Sequence, residues 1–98
     1  MVDMKTVLIH NENCTVRPIG SGLVVACPHD NETHSIDEIG TFIWKRIDGQ
    51  TDLDSILADI LREYVVDTDT AAKDLQSFVY QLLEAGLILP LKQTIPSE

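Results

Sequence analysis

The sequence predicts an α+β fold, an antiparallel three-stranded meander followed by a bundle of three helices, and two observations carry that prediction. Up to Ile36 the apolar residues come in short runs broken by turn residues, and from Asp37 onward they recur at the three- and four-residue spacing of helices. A chain of 98 residues supports one domain, with a core large enough to fold alone at the usual marginal stability.

The strands come first. "CTVRPI" is followed by Gly-Ser-Gly, then "LVVAC", the polar turn "PHDNE" and "THSI". A two-residue turn at Gly20-Ser21 sets Cys14 opposite Cys27 at a close, non-hydrogen-bonded pair. It also places Pro18 where its missing N–H removes no ladder bond, whereas a three-residue turn, Gly20-Ser21-Gly22, breaks this register. Cys14, Val16, Leu23, Val25, Cys27 and Ile36 then share a buried face. The third strand is short, polar outward and at an edge, so its outer N–H and C=O groups stay available. The two cysteines lack Cys-x-x-Cys spacing and are expected to pack as reduced, small apolar side chains rather than as a disulfide.

Ser35 or Asp37 can cap the first helix, whose stripe is Ile39, Phe42, Ile43 and Ile47. Trp44, beside that stripe, either covers the margin of the core or belongs to a contact surface, and the area it can bury favours the core. Asp48-Gly49 stops the helix. Thr51, with Asp54 three residues on, resembles a cap for a second helix bearing Leu53, Ile56, Leu57, Ile60, Leu61 and Tyr64. "VDTDT" breaks the pattern and offers caps for a third, which carries Leu75, Phe78, Val79, Leu82 and Leu83 and ends near Gly86. The domain therefore runs over 14–89, between an N-terminal extension, 1–13, and a tail, 90–98, whose last residues, "KQTIPSE", read as disordered.

Composition removes several functions. The net charge of -9 repels phosphate backbones, and a winged-helix DNA reader needs basic residues where the second helix has Asp52, Asp54 and Asp59. Nucleic acid is therefore a poor partner and is not expected, and a winged-helix nucleic-acid-binding domain stands only as an alternative function. A membrane is not expected either: no apolar run approaches the roughly 20 residues of a span, the start of the chain does not read as a signal peptide, and the cytoplasm is the default location. His10, His29 and His34 lack metal-ligand spacing, no base adjoins either cysteine in sequence, and no glycine-rich phosphate loop occurs, so neither enzyme, metal site nor cofactor is expected. Lone histidines in strands and turns usually lie on the surface.

A three-stranded sheet followed by three short helices is close to a winged helix-turn-helix, and the order of motifs is more specific. "SIDEIGTFIW" is similar to a leucine-asparagine, acid, small-residue and Ile-Trp run. "IDGQTDLDSI" is similar to an Asp-Gly, Thr and helix start, and "DLQSFVYQLLEAGLI" to an Asp-aliphatic, Phe, Leu and Gly-Leu ending. Together they resemble the pyrroloquinoline quinone biosynthesis protein D family over about residues 14–89. Ile36-Asp37 replaces the usual Leu-Asn pair, but keeps a buried apolar residue and a cap.

The resemblance implies a domain that binds the leader segment of a ribosomally made precursor peptide and presents it to a modifying enzyme, often a radical S-adenosylmethionine protein. Elementary physics supplies a compatible site. An extended peptide can add as a strand to the edge Thr33, His34, Ser35 and Ile36, with the third helix as the other wall of the groove. On that helix Lys73, Gln76, Ser77, Tyr80 and Glu84 lie off the apolar stripe, and Lys73, Gln76 and Tyr80 are the expected contacts, Gln76 and Tyr80 for their reach and hydrogen-bonding tips. A plain protein-interaction domain differs only in its ligand. The exposed edge leaves both monomer and homodimer open.

Overall fold

The structure, a computed structural model, describes residues 3–29 and 33–91. In chain order these form β1 (Leu8–His10), β2 (Thr15–Ile19), β3 (Gly22–Ala26), β4 (Thr33–Ile36), α1 (Glu38–Arg46), α2 (Leu53–Glu63), α3 (Thr68–Ala85) and β5 (Ile88–Pro90). Strands β2, β3 and β4 make the antiparallel meander in that spatial order, and the helices follow, so the α+β, winged-helix-like architecture is the one the patterning implies.

Gly20, at φ 61°, occupies the first central position of a two-residue hairpin loop, where only glycine is comfortable. The register that follows pairs Thr15 with Ala26 and Ile19 with Gly22, which brings Cys14 and Cys27 face to face. Their Cα atoms are 4.1 Å apart, and here the expectation of free thiols fails: the two residues are joined as a disulfide. The close, non-hydrogen-bonded pair that the register creates is itself the reason, since it holds both Cβ atoms within bonding reach.

The helices are capped by aspartates. Asp37, Asp52 and Asp67 accept hydrogen bonds from the backbone N–H of Gly40, Ser55 and Thr70, and Gly86 closes α3 in the left-handed conformation. Asp52, not Thr51, therefore caps α2; the Thr51 hydroxyl instead donates to Asp48, inside the turn after α1. Gly49 does not end α1 either. That helix stops at Arg46, and the Gly49 N–H donates to the Leu8 carbonyl at 2.9 Å.

Strands β1 and β5 are the elements that the patterning missed. They pair antiparallel, Leu8 opposite Pro90 and His10 opposite Ile88. Leu8, only 1% exposed, and Ile88 enter the core beside Ile47, Leu53, Leu75 and Leu87. Further bonds run from Leu53 N–H to Thr6 C=O and from Leu91 N–H to Val7 C=O, so the segment before Cys14 is woven into the packed body. The expected disordered tail, 92–98, and part of the polar turn, 30–32, lie outside the described residues.

Trp44 is buried, as its area favours. His10, expected on the surface, stacks on it with ring centroids 4.1 Å apart, and its Nε2–H donates to the Trp44 carbonyl at 2.8 Å. Two residues expected inside are exposed: Val16, because α1 covers β3 and β4 but leaves β2 beyond its reach, and Ile39, at the mouth of a cavity beside α3. Among the described residues, no helix is long and apolar enough to cross a membrane.

Candidate functional site

The hairpin register decides which edge of the meander can accept another strand. Because Cys14 and Cys27 form a non-hydrogen-bonded pair, the odd-numbered residues of β3 turn their N–H and C=O groups away from β2 and toward β4. Val25 pairs with His34 and Leu23 with Ile36, so those two residues carry the ladder bonds. The main-chain groups of Thr33 and Ser35 consequently point outward, along an edge with a sheet partner on one side only. The opposite edge, β2, is blunted: the same parity turns Val16 and Pro18 outward, and proline has no N–H to offer.

Side chains follow the complementary alternation. Ile36 is buried against the core and His34 is half-buried on the same face, whereas the Thr33 and Ser35 side chains are exposed. These four expected site residues thus form one continuous strip, with two outward backbone units and one apolar anchor.

At the carboxyl end of β4 the chain turns into α1 through Asp37, and a cavity of about 310 Å³ opens between that turn and α3. Asp37, Ile39 and Gly40 line one side; Asp74, Ser77, Phe78 and Gln81, at helical spacing, line the other. Gly40 permits the close approach, because a Cβ at that position would lie 2.6 Å from Ile36 Cγ2 and 3.0 Å from the Phe78 ring. Ile39 is 46% exposed here, and also borders a second, smaller cavity of about 70 Å³ with Ile60, Tyr64, Val66 and Leu75. An aliphatic side chain left open between two hollows suits an apolar contact.

The expected α3 residues lie elsewhere on the helix. Gln76 turns away from the cavity and its amide approaches Met4 Sδ at 3.2 Å, while Lys73 and Tyr80 are exposed and absent from the cavity lining. Side-chain reach, which favours Lys73, Gln76 and Tyr80 in the sequence, does not distinguish the two flanks of α3. The residues that line the cavity carry their own signal, the 74, 77, 78, 81 spacing, a polar stripe interrupted by one aromatic.

Chemically the arrangement offers outward backbone hydrogen bonds, an apolar floor of Ile39 and Phe78, and a polar rim of Asp37, Asp74, Ser77 and Gln81. The carboxyls displaced from their ordinary range sit apart from it, in the turn after α1 and on α2. Asp48 is lowered chiefly by the Gln50 N–H, Asp52 by the Ser55 N–H and Asp59 by the Arg62 guanidinium.

Residues 6–88 match the family model described as "Coenzyme PQQ synthesis protein D (PqqD)". A solved structure, "TbiB1 in Complex with the TbiA(beta) Leader Peptide", is similar in fold, with a TM-score of 0.72 and 22% identity over 82% of this chain and 93% of that one. No curated protein matches the sequence.

Proposed function

This chain belongs to the coenzyme PQQ synthesis protein D (PqqD) family, and from that premise we propose that it binds the leader segment of a ribosomally made precursor peptide and presents it to a modifying enzyme. The observation that carries the reading is the outward edge of β4 running into the cavity beside α3. An extended leader adds as a fourth strand, bonded by the Thr33 and Ser35 main chains, and drops one side chain between Ile39 and Phe78. The fold shared with TbiB1, itself solved with a leader peptide, supports this assignment. The domain acts without chemistry of its own. It works in the cytoplasm, and a radical S-adenosylmethionine protein is the class of enzyme we assign as its partner. In the absence of peptide the same edge is free to pair with a second copy, so monomer and homodimer interconvert in competition with the leader.

The α3 contact belongs to Asp74, Ser77, Phe78 and Gln81 in this reading. Lys73, Gln76 and Tyr80 are the second candidates, favoured by one observation: Tyr80 is a large, exposed aromatic. A backbone amide shift map, recorded while titrating an unmodified precursor peptide, separates the two. The expected result is a dissociation constant of about 1 μM, large shifts at Thr33 and Ser35, and shifts on α3 at 74, 77, 78 and 81. Phe78→Ala then weakens binding by about 1–2 kcal/mol, while Glu63→Ala, on the exposed side of α2, leaves it unchanged. Shifts centred on Lys73, Gln76 and Tyr80 would move the wall to the other flank. Shifts confined to α2, or none at saturation, would remove the proposal.

A further inference from the structure

We propose that Cys14, Cys27 and His29, when the cysteines are in the dithiol state, form a binding site for a borderline-soft divalent cation of the zinc class. The sulfurs of the two cysteines and a ring nitrogen of His29 lie within 4.8 Å of one another. The topology explains the gathering. Cys14 and Cys27 oppose each other across β2 and β3, and His29 follows Cys27 by two residues, just beyond the strand.

His29 is held in a manner suited to ligation. Its Nε2 lies 3.0 Å from the Ala85 carbonyl oxygen, which can only accept, so Nε2 carries the proton and Nδ1 carries the free lone pair. A ring N–H anchored on a backbone carbonyl is the outer-shell arrangement that orients metal-bound histidines and fixes their tautomer. Two thiolates and one neutral imidazole are a donor set that zinc accepts, with water in the fourth position. The pair of thiolate charges also balances the dication.

Disulfide and metal are alternative states of the same two sulfurs. In the disulfide each sulfur is bonded to the other, and neither is a thiolate. A dithiol reductant supplies two electrons and two protons, itself closes to a disulfide, and leaves Cys14 and Cys27 as thiols. The cation then displaces those two protons to solvent and forms two metal–sulfur bonds. In a compartment that keeps thiols reduced, the metal-binding state is therefore the accessible one. Loading fastens the hairpin, through His29 and Ala85, to the carboxyl end of α3.

The test uses the full chain, reduced with a trialkylphosphine, freed of reductant without air, and titrated with Co2+. Sulfur-to-cobalt charge-transfer bands and the visible bands of a tetrahedral ion should saturate at one Co2+ per chain and vanish on adding Zn2+. Zn2+ should raise the Tm of the reduced chain and leave the disulfide form unchanged. Cys14→Ser should abolish the charge-transfer bands. His29→Ala, at an exposed position that the fold tolerates, should weaken binding at least about tenfold, since even loss of an outer-shell partner costs that much. No charge-transfer band in the reduced chain, an equal response from the disulfide form, or unchanged affinity in His29→Ala would each overturn the proposal. None of these readouts involves a peptide, so the result is independent of leader binding.

Discussion

Thr41 is the one buried side chain among the described residues whose polar atom has no hydrogen-bond partner: its hydroxyl sits inside α1 facing the core. An unsatisfied buried hydroxyl costs about 1–3 kcal/mol, and valine has nearly the same shape. Thr41→Val should therefore raise stability by about 1 kcal/mol, or roughly 4–8 °C in Tm for a domain of this size, as read by thermal melting; a lower Tm would mean that the hydroxyl is bonded. Asp59 makes a different prediction. It is half-buried, it pairs with Arg46 at 3.1 Å and with Arg62, and Arg46 in turn stacks over the Phe42 ring. Arg62 first, then Arg46, hold its carboxyl below the usual range against the opposing effect of burial. Because its pKa is lower folded than unfolded, the stabilisation is fully present above the ordinary carboxylate range and is lost as pH falls through the lowered folded value. Asp59→Asn should flatten part of that acid dependence of Tm. A wild-type slope retained in the variant would assign the effect to other carboxylates, such as Asp48.

At the scale of elements, β4 is the strand whose two sides do different jobs. Its inner side holds the sheet through His34 and Ile36, and its outer side offers Thr33 and Ser35. Proline at position 35 removes only an outward N–H, so Ser35→Pro should melt within about 1 kcal/mol of wild type yet lose most of its affinity for the leader. Retained affinity would rule out strand addition at this edge. The hairpin formed by β2 and β3 makes a second test. Its disulfide joins residues 13 positions apart in sequence, and opening it should cost up to about 3 kcal/mol, the loop-entropy value for roughly that length. Chemical melts of the oxidised chain and of Cys14→Ala/Cys27→Ala measure this directly, and identical midpoints would show that the hairpin register alone supplies the constraint.

The whole molecule carries a charge of -9, and α2 is capped by Asp52 and carries Asp54 in its first turn. The acids cap and charge the helix start rather than face phosphate. Random duplex DNA should give no mobility shift at micromolar protein and moderate salt. A salt-sensitive shift would overturn the reading of the acidic surface.

Much of this molecule was legible in the residues themselves. The switch of apolar period at Asp37, the Gly20 turn, and the Gly86 stop are local matters, decided by backbone sterics and by which face each residue presents. From them follow the meander, the three helices, the opposition of Cys14 and Cys27, and the open edge at Thr33 to Ile36. Tertiary structure decided what locality cannot. Strands of three residues such as β1 and β5 leave too short a pattern to read, and they exist because 80 positions away each finds the other's backbone groups. The exposure of Ile39 and Val16 depends on where the helices stop covering the sheet. The flank of α3 that meets the β4 turn is set by the rotation of that helix about its own axis, which its apolar stripe fixes only once Gly40 brings Ile36 and Phe78 together. His29 lies beside two sulfurs because the end of α3 folds back onto the hairpin. In each case the deciding contact joins residues far apart in the chain, and no periodicity in a single segment encodes it.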